Sequence, residues 1–186
     1  MQKIRFSSAI KKGVVMLSLL TSMGLAHAEK VSVGQQAPLF TLHAQDGSTL
    51  DLASRQGKGW TVLYFYPKAG TPGCTTQACA FRDAIKVIRS ENADVFGIST
   101  DDVENLQKFH KEHQLTFTLL SDPDAKVTEA YGVKMPIVTV AKRWTFILDP
   151  SLVIRQIDDA TPFTLGIYRC PLETNQIFRK KSLALH

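Results

Sequence analysis

Cysteine is scarce in this chain, with three in 186 residues. That density excludes a scaffold held together by disulfides, so the fold must stand on a hydrophobic core. The chain has no apolar run of the roughly 20 residues needed to cross a bilayer. It has no phosphate-binding glycine motif, no dinucleotide fingerprint and no serine triad pattern. Internal repeats, low-complexity runs and interdomain linkers are missing too. His110 and His113 lie three apart on a predicted helix, but no acidic or cysteine partner has the spacing of a metal site, so a solvated helix face explains them. His43 likewise has no identifiable partner.

An excess of one charge is also lacking once the first 28 residues are set aside. Lys3, Arg5, Lys11 and Lys12 precede an apolar stretch from Gly13 to Leu25, and Ala26-His27-Ala28 forms a small-x-small site before Glu29. These are the three regions of a secretory signal peptide. It holds four of the 22 basic and none of the 17 acidic residues, which leaves 18 against 17. The overall +5 therefore argues for no nucleic-acid partner. Residues 29–186 are expected to form a single domain with a real core. Export to an oxidising, periplasmic compartment is expected after cleavage, with no stable membrane association.

Alternation in the remainder is clear. Phe40–Ala44 and Ser48–Leu52 flank Asp46-Gly47, the mark of a hairpin. Trp60–Tyr66 is nearly all apolar, β-branched or aromatic, as in a central strand buried on both faces. Ala78, Phe81, Ile85 and Ile88 give helical spacing over Cys74–Arg89. Val95–Ser99 reads as a second buried strand. Asp101 with Glu104 gives a capping-box-like start to a helix over Val103–His113. Phe117–Ser121 reads as a strand, Asp122-Pro123 opens a short helix closed by Gly132, and Trp144–Leu148 with Leu152–Ile157 form a last hairpin. Strands alternating with helices predict an α/β fold with a mixed central sheet. From about Thr161 the pattern is lost, with Pro162, Gly166 and Pro171 breaking any helical stripe.

Chemistry concentrates between Tyr64 and Cys79. A strand ends at Pro67, a Gly/Pro-rich loop follows, and Cys74 falls where a helix begins. Thiols at helix N-termini are favoured as thiolates. A thiolate is a good nucleophile toward the weak O–O bond of a peroxide, and the departing oxygen then needs preorganised donors. Thr71 and the backbone amides at residues 73–74 are candidates, and a distant arginine would complete the set. The product, a sulfenic acid at Cys74, condenses readily with a nearby thiol. Cys79 is the obvious candidate. In an intact helix, though, Cα atoms five residues apart are about 8–9 Å from each other, whereas a disulfide tolerates up to about 6.8 Å. A Cys74–Cys79 bridge therefore predicts local unwinding between about Thr71 and Arg82.

The stretch Phe65–Asp83 resembles the active-site signature of the peroxiredoxins, with the Pro-x-x-x-Thr-x-x-Cys pattern complete at Pro67, Thr71 and Cys74. It is closest to the bacterioferritin comigratory protein (Q-type) subfamily, whose resolving cysteine matches Cys79. Tyr131-Gly132-Val133 and Arg143–Asp149 resemble later blocks, and the likeness runs from about Val33 to Ile157. It implies a thioredoxin-like fold, with helices flanking the sheet and the hairpin at its N-terminal end. It implies reduction of hydrogen peroxide and organic hydroperoxides without a cofactor, through an intramolecular Cys74–Cys79 redox disulfide. Arg143 would bond the peroxide and thiolate, and Pro67 would shape the pocket. A thioredoxin-like dithiol would be the reductant, and a monomer is expected. The tail, Phe163–His186, departs from the family's closing helix and carries Cys170 and Lys180-Lys181. Against this stands a thiol–disulfide oxidoreductase acting on exported proteins. Such enzymes use Cys-x-x-Cys, a tighter spacing than the one here. A permanent structural bridge is a third reading.

Overall fold

The computed structural model describes residues 31–159. Residues 1–28, where a signal peptide is expected, and the tail with Cys170 and Lys180-Lys181 lie outside the described residues. The Asp46-Gly47 turn joins β1 (Thr41–Ala44) to β2 (Thr49–Asp51) in an antiparallel pair, with Leu42 opposite Leu50. Gly47 sits at φ +83°, where a side chain would strain the backbone. Asp46 closes the turn by accepting from the Ser48 amide and hydroxyl. A short 3₁₀ turn at Leu52–Arg55 then leads to β3 (Trp60–Phe65).

Helix α1 (Pro72–Ser90) begins two residues earlier than the periodicity predicts. Proline is tolerated in a first helical turn, because its missing N–H would have no partner there anyway. β4 (Ala93–Ser99), α2 (Val103–Glu112), β5 (Thr118–Ser121), α3 (Lys126–Ala130), β6 (Thr145–Leu148) and β7 (Ile154–Asp158) complete the described chain. One expectation fails at the start of α2. The cap is Asp102, whose carboxylate accepts from the Asn105 amide at 2.8 Å, and not Asp101.

The seven strands form one mixed sheet in the order β2-β1-β5-β4-β3-β6-β7. Strands β3, β4 and β5 run parallel, and the outer pairs are antiparallel. A parallel pair needs a crossover, which α1 and α2 supply. Both steps run the same way along the sheet, so right-handed crossovers put both helices on one face. Val62, Tyr64 and Tyr66 meet Ile85 and Ile88 of α1 and Leu106 and Phe109 of α2 there. The alternate residues Leu63 and Phe65 join Phe40, Val127, Tyr131 and Phe146 in a second cluster on the other face. Each large apolar side chain so buried contributes roughly 1.5–3 kcal/mol. This is the mixed α/β arrangement that the alternation of strands and helices predicts, and it agrees with the thioredoxin-like fold that the resemblance implies.

Candidate active site

The two cores leave the upper ends of β3 and β4 to carry a loop. Tyr66 still bonds the sheet through its amide to the Ile98 carbonyl at 3.1 Å, and half-buried Pro67 turns the chain away. Gly70, at φ +75°, lets the loop reverse into α1. Thr71 is the N-cap residue, and its carbonyl accepts from the Thr75 amide at 2.9 Å. Its hydroxyl donates to the Lys68 carbonyl at 3.0 Å. In this conformation that proton faces the loop, so any donation to a substrate requires the hydroxyl to rotate.

Cys74 lies in the first turn of α1 with 1% of its surface exposed. Its packing cluster includes Tyr64, Tyr66 and Ala78. Burial raises the pKa of both phenols well above the ordinary range, with neighbouring charges a lesser influence, so both rings stay neutral. Tyr64 stacks on Phe81 at 4.7 Å and on Tyr66 at 5.3 Å, forming an aromatic floor beneath the first turns of the helix.

Arg143 reaches this sulfur from 69 positions away along the chain. The sheet register explains the meeting. β6 pairs antiparallel with β3, Tyr64 lies opposite Thr145, and the Phe65 amide bonds the Trp144 carbonyl. The residue before Trp144 therefore emerges beside the end of β3, next to the start of α1. One guanidinium nitrogen of Arg143 donates to Cys74 Sγ at 3.3 Å. The other donates to Gln77 Oε1 at 2.7 Å and to the Gly73 carbonyl at 3.4 Å. A planar cation held at three points has little freedom to leave the sulfur. Charge-assisted bonds of this kind are stronger to S⁻ than to a neutral thiol.

Both described cysteines are free thiols, Cys74 buried and Cys79 partly exposed. They share one uninterrupted helix. Five residues of α-helix turn the second side chain about 140° away from the first, so the structure does not bring the two sulfurs together. His43 shares a hydrogen bond at 3.2 Å with Thr49 across the hairpin, and His113 packs edge-on against Phe109.

Sequence reasoning missed two residues. Gln77 stands three positions after Cys74, hence on the same helix face one turn on, a signal that was available. Asp101 has the residue type and spacing of a helix cap, but its carboxylate instead accepts from the Ala69 amide at 2.8 Å, within the loop that precedes Cys74.

Comparison with known proteins points the same way. Residues 33–157 match the model of the AhpC/TSA family. The chain is 46% identical over 129 residues to a chloroplastic peroxiredoxin Q of Populus jackii, covering 69% of this chain and 60% of that protein. It is 42% identical over 133 residues to a putative peroxiredoxin bcp of Coxiella burnetii, covering 68% of this chain and 87% of the relative. The crystal structure of peroxidoxin BcpB from Mycobacterium tuberculosis is similar at a TM-score of 0.70 and 30% identity, over 84% of this chain and 99% of that one. The chain spans about three-fifths of the plant relative's length.

Proposed function

The chain belongs to the AhpC/TSA family, among its peroxiredoxin Q and bcp members, and from that premise we propose that it is a thiol-dependent peroxidase for hydrogen peroxide and organic hydroperoxides. The observation that carries this reading is the 3.3 Å approach of Arg143 to a buried sulfur in the first turn of a helix. The Cys74 thiolate attacks one peroxide oxygen, the O–O bond breaks, and Cys74 becomes a sulfenic acid. The other oxygen leaves as hydroxide or alkoxide and takes up a proton. Arg143, the first-turn amides and a rotated Thr71 hydroxyl meet the charge on that oxygen. Pro67 walls the pocket and keeps water from the sulfur.

In this reading Cys79 is the resolving thiol. Its sulfur displaces water from the Cys74 sulfenic acid and forms an intramolecular disulfide. The helical separation of about 8–9 Å exceeds disulfide reach, so the first turns of α1 unwind in the oxidised form. An external thioredoxin-like dithiol then restores both thiols by exchange and leaves as a disulfide itself. The relatives named above include a chloroplastic plant form and a bacterial form. The basic, apolar and small-residue order of Met1–Ala28 supports export of this chain to the periplasm, where residues 29–186 work as one domain and as a monomer.

The test is steady peroxide reduction with candidate dithiols, followed by mass spectrometry of the oxidised protein. Wild type turns over many times and yields a peptide linked through Cys74 and Cys79. Cys79→Ser undergoes one oxidation event and stops, and Cys74→Ser consumes nothing. Faster action on protein disulfides than on peroxide transfers the reading to a thiol–disulfide oxidoreductase. The same spectra reveal whether the mature chain starts at Glu29.

A further inference from the structure

Two adjacent aspartates follow β4, and they divide their work. Asp102 caps α2. Asp101 turns back into the protein, where only 9% of its surface is exposed. One of its carboxylate oxygens accepts from the Ala69 amide at 2.8 Å and from the Ser99 hydroxyl at 2.8 Å. Its own carbonyl accepts from the Ser121 hydroxyl at 2.7 Å. Ser99 ends β4 and Ser121 ends β5. A single residue thus ties the ends of two interior strands to the middle of the loop that joins β3 to α1.

The placement of that tie matters more than its strength. Ala69 lies midway between Pro67, which walls the sulfur, and Thr71, which begins the helix carrying Cys74. A carboxylate accepting from an amide makes a charge-assisted bond, stiffer than a neutral residue would supply. The redox cycle makes opposite demands on the two sides of the pocket. Attack on peroxide needs donors held in register, whereas disulfide formation needs the first turns of α1 to let go. Arg143 grips the moving side through Gly73, Gln77 and the sulfur itself. Asp101 grips the other side through a backbone that chemistry never alters.

We propose that Asp101 is a positioning residue for peroxide reduction, acting through Ala69 to hold the Pro67–Thr71 loop in place while α1 moves. It touches neither the sulfur nor the substrate. The inference rests on the peroxidase reading above.

The experiment compares wild type with Asp101→Ala, Asp101→Asn and Ser99→Ala. Rapid mixing gives the second-order rate of Cys74 oxidation by hydrogen peroxide, and a parallel reaction gives the rate of Cys74 alkylation by iodoacetamide. Alkylation needs no donors for a leaving oxygen, so it serves as a measure of access. Displacing a reacting geometry by an ångström costs up to about 100-fold in rate, so Asp101→Ala should slow peroxide attack by about 10–100-fold and alkylation far less. Asp101→Asn recovers part of the loss, because its amide oxygen still accepts from Ala69, and Ser99→Ala loses less than Asp101→Ala. The later step, from sulfenic acid to disulfide, keeps its wild-type rate in all three.

Wild-type peroxide rates in folded Asp101→Ala would overturn the inference, as would equal losses in both reactions. Should Asp101→Ala fail to fold, wild-type rates in both Asp101→Asn and Ser99→Ala would overturn it as well. A wild-type protein that does not react with peroxide at all would remove the peroxidase reading and this inference together. A reactive wild type with unaffected variants removes only the second.

Discussion

Gly97 offers a stability test that reaches the site from behind. It lies on β4 directly opposite Tyr64 on β3. A methyl group built on Gly97 would fall 2.7 Å from three atoms at the hydroxyl end of the Tyr64 ring. Carbon contacts are comfortable at about 3.5–4.0 Å, so the ring must retreat by roughly 1 Å. It has little room to do so, being fully buried and packed against Tyr66, Phe81 and Phe117. Overpacking of this kind costs about 1–3 kcal/mol. Against that, Gly→Ala at a compatible backbone stabilises by about 0.4–1 kcal/mol through the unfolded chain. The net expectation for Gly97→Ala is a loss of about 1–2 kcal/mol, or a Tm lower by about 2–8 °C for a domain of this size. Thermal and urea unfolding of the reduced protein, followed by circular dichroism, gives the number. Tyr64→Phe in the Gly97→Ala background removes one of the three clashing atoms and should restore part of the loss. A Gly97→Ala protein as stable as wild type would refute the claim that Tyr64 is immovable beneath the helix.

Further outcomes follow from the same geometry. Arg143→Met removes the donor to Cys74 Sγ and should slow oxidation of Cys74 by about 10²–10³-fold, read by stopped-flow mixing; an unchanged rate contradicts the role given to the guanidinium. Gln77→Ala should cost less, and adding it to Arg143→Met should cost almost nothing more, since Gln77 acts by holding the arginine; additive losses in this double-mutant cycle would count against that. Asp149 accepts from the Ser151 and Val153 amides and from Arg155 at the β6–β7 turn. Burial pushes its carboxyl pKa up, but the bonds from Val153, Arg155 and Ser151 together outweigh it and hold the group below the ordinary range. Its stabilising contribution is therefore complete above the unfolded value of about 4 and fades as pH falls through the lower folded value. Asp149→Asn should lose stability at pH 7 and lose less than wild type between neutral and acid pH, as urea unfolding across that range would reveal.

Much of this architecture is legible in the sequence. The run from Trp60 to Tyr66 has too few polar residues for an exposed strand, and the Pro67–Cys74 stretch combines every local signal of a loop entering a helix. Pattern alone fails where partners are distant. Arg143 meets Cys74 because β6 pairs with β3 in one particular register, and no local periodicity encodes that register. The two aspartates at 101 and 102 show the same limit at short range. Both are good caps by residue type, and only the path of the chain out of β4 decides which side chain points to α2 and which to Ala69. Gln77 was within reach, since its spacing from Cys74 places both on one helix face.

In the proposed reaction Cys74 is attended by donors, Arg143 foremost, that meet the charge on the departing oxygen. The most direct measurement is the second-order rate at which reduced protein loses its Cys74 thiol to hydrogen peroxide at pH 7, set beside free cysteine in the same buffer. The protein sulfur should be at least about 100-fold faster, the worth of a single preorganised donor, with Cys74→Ser inert. A Cys74 that reacts no faster than free cysteine would contradict it.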